Sequence, residues 1–141
     1  MIQCIFHDIG PGHRDRRLFE LVEDAYNRRE KVLIFVQNEE RAASLDRTIW
    51  IMKQESFIPH RIFGQNDPDP RVPIGIVTTE INPVEARTLI ADGHCGLDFA
   101  CGFDIVHEFV NRSSPEIQEA CRDRFREYRS RKIPVEHLKE S

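Results

Sequence analysis

Between positions 93 and 107 the chain reads GHCGLDFACGFDIVH, placing His94, Cys95, Cys101 and His107 in one stretch. Two thiolates and two imidazoles make a ligand set for tetrahedral zinc. The spacing argues against that use. Adjacent His94 and Cys95 project in different directions, and His107 falls inside an apolar run that reads as a strand. The plainer reading is a loop with buried thiols and a surface histidine, the alternative being a small metal or thiol enzyme built on the 94–107 cluster. Other catalytic signatures are missing: the chain has no G-x-S-x-G elbow, no G-x-x-x-x-G-K-[ST] and no G-x-G-x-x-G. "IGPGH" reads as a tight turn closing a strand rather than as the opening of a helix. Glu39 with Glu40 marks a helix start and Asp67 with Asp69 a solvated loop, so neither pair singles out an acid and a base.

Aromatic and cationic residues are more distinctive. PEIQEACRDRFREYRSRK carries Arg122, Arg124, Arg126, Arg129 and Arg131, with Phe125 and Tyr128 among them. At helical spacing Arg122, Arg126 and Arg129 share a face with Phe125 at its edge, while Ile117, Cys121, Arg124 and Tyr128 lie on a neighbouring face. Such a face is either a solvated surface with internal ion pairs or a cationic rim for a carboxylate, whose two oxygens match an arginine fork. The one tryptophan, Trp50, precedes Phe57 by seven residues, with Pro59 and His60 close behind.

The elements that must position these residues follow from periodicity. IQCIFH (2–7), KVLIFVQ (31–37), IGIVT (74–78), TLIA (88–91) and FDIVHEFV (103–110) are short apolar runs suited to buried strands. Leu18, Leu21, Val22, Ala25 and Tyr26 form one helical stripe, and Ala42, Leu45, Ile49 and Met52 form another after Asn38, a fitting N-cap. Trp50 falls beside that second stripe. Proline, glycine and aspartate make 64–73 a loop, 92–102 shows little helical promise, and Ser113-Ser114-Pro115 announces a last helix running to about Lys132. This alternation predicts a three-layer, Rossmann-like α/β domain with a mostly parallel sheet, with 1–141 as a single domain.

Composition agrees. The net charge of −4 disfavours non-specific duplex binding, and the unpaired spacing of Cys4, Cys95, Cys101 and Cys121 fits reduced thiols. No signal peptide or membrane-spanning run is evident, so a cytoplasmic location with no membrane partner is expected.

LFELVEDAYNRREKVLIFV, RAASLDRTIWIMKQESFIPH and FDIVHEFVNRSSPEIQEACRDRFREYRSR together cover nearly the whole chain and resemble the chi subunit family of bacterial DNA polymerase III. The resemblance implies a non-catalytic accessory subunit of the clamp-loader assembly, without a cofactor. It implies two partners, the psi subunit and single-stranded DNA-binding protein, and contact with DNA only through them. The acidic C-terminal tail of the binding protein, which ends in an aromatic residue, would dock in one pocket bordered by Trp50, Phe57 and Arg122. Phe125 would stand beside it, and Arg126 and Arg129 would supply a broader positive field. Gln118 stands where better-known members carry a lysine. KVLIFVQNEERAASLDRTI is also similar to the second RecA-like lobe of superfamily 2 helicases, so a helicase-like lobe without ATPase activity is the second alternative.

Overall fold

The computed structural model describes residues 2–52, 57–65 and 67–139. Its strands are β1 (Gln3–Asp8), β2 (Val32–Phe35), β3 (His60–Ile62), β4 (Ile74–Val77), β5 (Thr88–Ala91), β6 (Ile105–Phe109) and β7 (Val135–Lys139). The α-helices are α1 (Arg14–Asn27), α2 (Glu39–Met52), α3 (Leu97–Ala100) and α4 (Pro115–Ser130). The seven strands form one sheet in the order β3-β4-β2-β5-β6-β1-β7, and every neighbouring pair is parallel.

Apolar runs without polar alternation are what a sheet covered on both faces requires. In β2, Leu33 and Phe35 enter one core layer with Phe6, Leu89, Val106 and Tyr128, beneath α3 and α4. Val32 and Ile34 enter the other with Leu18, Val22, Leu45, Ile49 and Ile76, beneath α1 and α2. Each large aliphatic or aromatic side chain so buried contributes roughly 1.5–3 kcal/mol. The helices thus lie on opposite faces, and α4 covers the β1 side while α2 leans on β3 and β4.

The caps follow the sequence. Asn38 Oδ1 accepts from the Arg41 N–H at 2.8 Å, and Ser114 Oγ accepts from Ile117 N–H at 3.2 Å with Pro115 at the first helical position. Neither α1 nor α4 needs a glycine to stop. Arg29 and Lys132 take φ of 59°, and the following N–H groups of Glu30 and Ile133 reach back to Ala25 and Tyr128 carbonyls.

Four sequence expectations change. The Pro11–His13 turn is a 3-10 turn running straight into α1, so a helix does open on GPGH. The 92–102 stretch holds one helical turn, α3. Strands β3 and β7 were not anticipated: both are edge strands without an apolar run, β3 having only three residues, two of them half-buried and polar, and β7 having mostly exposed side chains. Met52 lies outside the buried stripe, which ends at Ile49. Glu55 and Ser56 of the ESFIPH motif lie outside the described residues.

Candidate functional site

Helix α4 has two working sides. Its inner side carries Arg124, only 8% exposed, whose Nε donates to Glu108 Oε2 at 2.8 Å and whose Nη1 donates to the Cys95 carbonyl at 2.6 Å. The Tyr128 hydroxyl donates to the same Glu108 oxygen at 2.7 Å, and Glu108 Oε1 has no partner among the described residues. Burial pushes the Glu108 carboxyl up, against the pull of Arg124 and Tyr128. These residues lock α4 onto β6.

The outer side forms a pocket of about 330 Å³ against the edge of the sheet. Phe6, Val110, Cys121 and Phe125 give it an apolar floor, and Arg112, Arg122 and Arg126 stand at its rim with Gln118 and His137. The floor is rigid because the Phe125 ring meets Phe6 edge to face at 5.2 Å. Arg129 sits over the Phe125 ring, 6.0 Å from its centroid, and does not line the pocket. The rim is partly neutralised within the helix. Arg122 reaches Glu119 at 3.4 Å, while Arg126 reaches Glu119 at 3.2 Å and Asp123 at 2.8 Å. Hydrogen bonds from Arg126, then Arg122, hold the Glu119 carboxyl below its usual range.

Trp50 and Phe57 lie elsewhere. Their rings meet at 4.7 Å, and Trp50 touches the His60 ring at 5.1 Å. His60 is fixed beneath them, with Nδ1 2.7 Å from the Ile58 carbonyl and Nε2 3.0 Å from Asp46 Oδ1. Trp50 is 50% exposed and Phe57 56%, and Ile51, Met52 and Ile62 are exposed beside them. An apolar group of this size on the surface is a mark of an interaction site.

The single pocket expected from Trp50, Phe57 and Arg122 does not form. Helix α2 packs on one face of the sheet at the β3 edge, and α4 packs on the other face toward β1 and β7. Six strand spacings of about 4.8 Å separate the edges by roughly 29 Å. Arg122, Phe125, Arg126 and Arg129 are brought together; Trp50 and Phe57 make a second surface. Phe6, Arg112 and His137 were missed because they join the α4 pocket from other elements.

The 94–107 residues do not converge. His94 Nε2 lies 3.9 Å from Cys121 Sγ, Cys95 faces Arg124, Cys101 faces Arg131, and His107 Nδ1 lies 2.9 Å from His7 Nε2. No group of three metal-ligating side chains forms among the described residues. Burial pushes the Cys95 thiol up to about 11, the opposite of an activated nucleophile. His94 is exposed in its loop, as expected, while His107 lies in β6, half-buried, where desolvation lowers it to about 4.

Together these features define an all-parallel α/β scaffold carrying two exposed surfaces of different chemistry at opposite edges. The same architecture is found in the C-terminal domain of the DEAD-box protein Dbp5, with a TM-score of 0.61, 14% identity, and 98% of this chain and 90% of that one covered. A second Dbp5 C-terminal domain structure, solved with Gle1 and IP6, gives a TM-score of 0.60 at 12% identity, covering 99% of this chain and 90% of that one. At that identity the likeness is one of fold alone. Sequence is more specific. Residues 1–136 match the family described as DNA polymerase III chi subunit, HolC, and the chain belongs to that family. DNA polymerase III subunit chi of Pseudomonas aeruginosa PAO1 is 30% identical over 129 residues, 89% of this chain and 86% of the relative. The Escherichia coli K12 subunit is 27% identical over 111 residues, 78% of this chain and 74% of the relative. The chain is therefore an accessory subunit of DNA polymerase III, acting in DNA replication. No helix among the described residues is long and apolar enough to cross a membrane.

Proposed function

We propose that this subunit works without an active site of its own, as a bridge in which the acidic C-terminal tail of single-stranded DNA-binding protein docks in the α4 pocket. The psi subunit, and through it the clamp loader, would dock on the Trp50–Phe57 surface. The observation that carries the tail assignment is a pocket that combines apolar lining from Phe6, Val110, Cys121 and Phe125 with three guanidinium groups, those of Arg112, Arg122 and Arg126. A terminal aromatic ring entering that pocket gains about 2 kcal/mol by area, and its carboxylate needs a cation at the rim to offset desolvation. Arg122 is the first candidate for that cation, with Arg126 beside it and Arg129 holding Phe125. Affinity for one tail near micromolar follows from so small a contact, and several tails on one binding-protein oligomer raise it by avidity. DNA would be reached through the tail-bearing protein. A bridge also needs two surfaces that can be filled at once, and the sheet separates the two described above.

The test is fluorescence anisotropy with a labelled acidic peptide ending in phenylalanine, beside the same peptide lacking that residue. Binding should need the terminal ring and fade with salt. Arg122→Glu and Phe125→Ala should each weaken it by about tenfold or more, while Trp50→Ala leaves it unchanged and instead abolishes capture of purified psi. Peptide binding that survives Arg122→Glu, or that is lost in Trp50→Ala, would refute the assignment.

A further inference from the structure

A second cavity, of about 500 Å³, opens beside the α4 pocket and shares Val110 and Arg112 with it. It lies above the carboxyl ends of β1 and β6. The chain leaves β1 for α1 on one face and leaves β6 for α4 on the other. Neighbouring strands whose helices depart to opposite faces create the crevice where open α/β sheets take ligands.

The lining suits an anion. Arg14, Arg112 and Lys139 face the crevice, against one carboxylate, Asp8. That is a cationic hollow in a chain of net charge −4. Arg14 is held in place, with Nε 3.2 Å from Asp92 Oδ1 and its guanidinium 5.0 Å from the Phe109 centroid. Arg112 is held differently. It donates to Asp8 Oδ2, which His137 Nε2 also approaches at 3.0 Å, and Lys139 is the register partner of Asp8 across β1 and β7. Asp8 therefore occupies, from within the chain, the place an incoming carboxylate would take on Arg112. Helix α4 offers less, since Glu119 and Asp123 already face Arg122 and Arg126.

We propose that the crevice between the ends of β1 and β6 receives the acidic residues that immediately precede the terminal aromatic residue of the docked tail, on Arg112 and Lys139, with Asp8 as a built-in competitor that lowers their affinity. This rests on the tail reading above. An extended peptide advances about 3.3–3.6 Å per residue. Because Val110 and Arg112 wall both cavities, a chain whose last residue fills the α4 pocket passes directly into the crevice.

The experiment uses the full chain and two labelled peptides ending in the same phenylalanine, one with aspartates and one with asparagines at the preceding positions. The aspartate peptide should bind about tenfold tighter at low salt, an advantage that added salt removes. Lys139→Glu should erase most of the advantage and leave the asparagine peptide unchanged. Asp8→Asn should tighten the aspartate peptide by about threefold more than the asparagine peptide, as expected for an ion pair with one half-exposed partner, any change in the asparagine peptide reporting what the released Arg112 does in the shared α4 pocket. An asparagine peptide that binds equally well to Arg122→Glu would refute the tail reading itself. An asparagine peptide that needs Arg122, with no advantage for aspartate or an advantage indifferent to Lys139→Glu and Asp8→Asn, would overturn the crevice assignment alone. Displacement of the aspartate peptide by oligothymidylate, lost in Lys139→Glu, would also overturn it and make the crevice a phosphate site.

Discussion

Two arginines two residues apart on α4 should behave in opposite ways. Replacing Arg124 with Met removes the donor to Glu108 at 2.8 Å and the donor to the Cys95 carbonyl at 2.6 Å. Glu108 is fully buried, so its carboxylate then keeps only the Tyr128 hydroxyl and has no counter-ion. Breaking a buried pair from one side costs about 3–5 kcal/mol, a fifth or more of the roughly 5–15 kcal/mol that holds a domain together. At about 3 °C per kcal/mol for a chain of this size, the melting temperature should fall by roughly 10–15 °C. Arg122→Met, on the exposed side, should stay within about 0.5 kcal/mol of the parent. Urea unfolding followed by circular dichroism measures both. The triple replacement Glu108→Leu, Arg124→Met and Tyr128→Phe should regain most of the loss, because it removes every polar member but the Cys95 carbonyl. An Arg124→Met protein within about 1 kcal/mol of the parent would refute the argument that Arg124 is a structural rather than a binding arginine.

Burial lowers His7 to about 3 and His107 to about 4, so below the unfolded histidine value near 6.5 the unfolded chain takes up protons that the folded one refuses. Stability should be flat in this respect above pH 6.5 and fall as the pH drops toward 4, and urea titrations should show the fall shrinking in His107→Gln. Trp50→Ala and Phe57→Ala, at half-exposed rings, should change unfolding by less than about 1 kcal/mol while removing psi capture; a large loss of stability would make them core residues. Glu119→Gln frees Arg122 and leaves Arg126 paired with Asp123 alone, and it should tighten the acidic tail peptide by a few-fold in the anisotropy assay, whereas weaker binding would show that Glu119 positions those arginines. Trp50→Ala combined with Arg122→Glu should lose psi capture and tail binding each to the extent of the corresponding single variant, as sites far apart without shared partners do.

The sequence made some of this legible and hid the rest for physical reasons. Apolar runs such as VLIF and TLIA announce buried parallel strands because both faces are covered, and Asn38, Ser114 and Pro115 mark helix starts because their chemistry is local. VEHLK of β7 pairs through its backbone with β1 alone and leaves most side chains in solvent, so no pattern reveals it. Arg124 shows the opposite problem. Its spacing from Cys121 and Tyr128 places it on the buried stripe, yet its charge invites a surface reading until Glu108, a lone acid in an apolar strand, is seen opposite it.

The grouping of Trp50 with Arg122 failed at a different level. Residue types can say that an aromatic and a cation suit one ligand, but only strand order says whether they meet. Here β3 and β7 close opposite edges of the sheet, and α2 and α4 lie on opposite faces, so no side chain can span the gap. For a bridging subunit, that separation is useful. A shared pocket would make its two partners exclude each other, whereas two surfaces held apart by a parallel sheet let one partner bind without lowering the affinity of the other. On the proposed assignment the sheet would act as a spacer of fixed length, with the pocket on α4 weak and exchangeable and the apolar surface at Trp50 and Phe57 carrying the lasting contact.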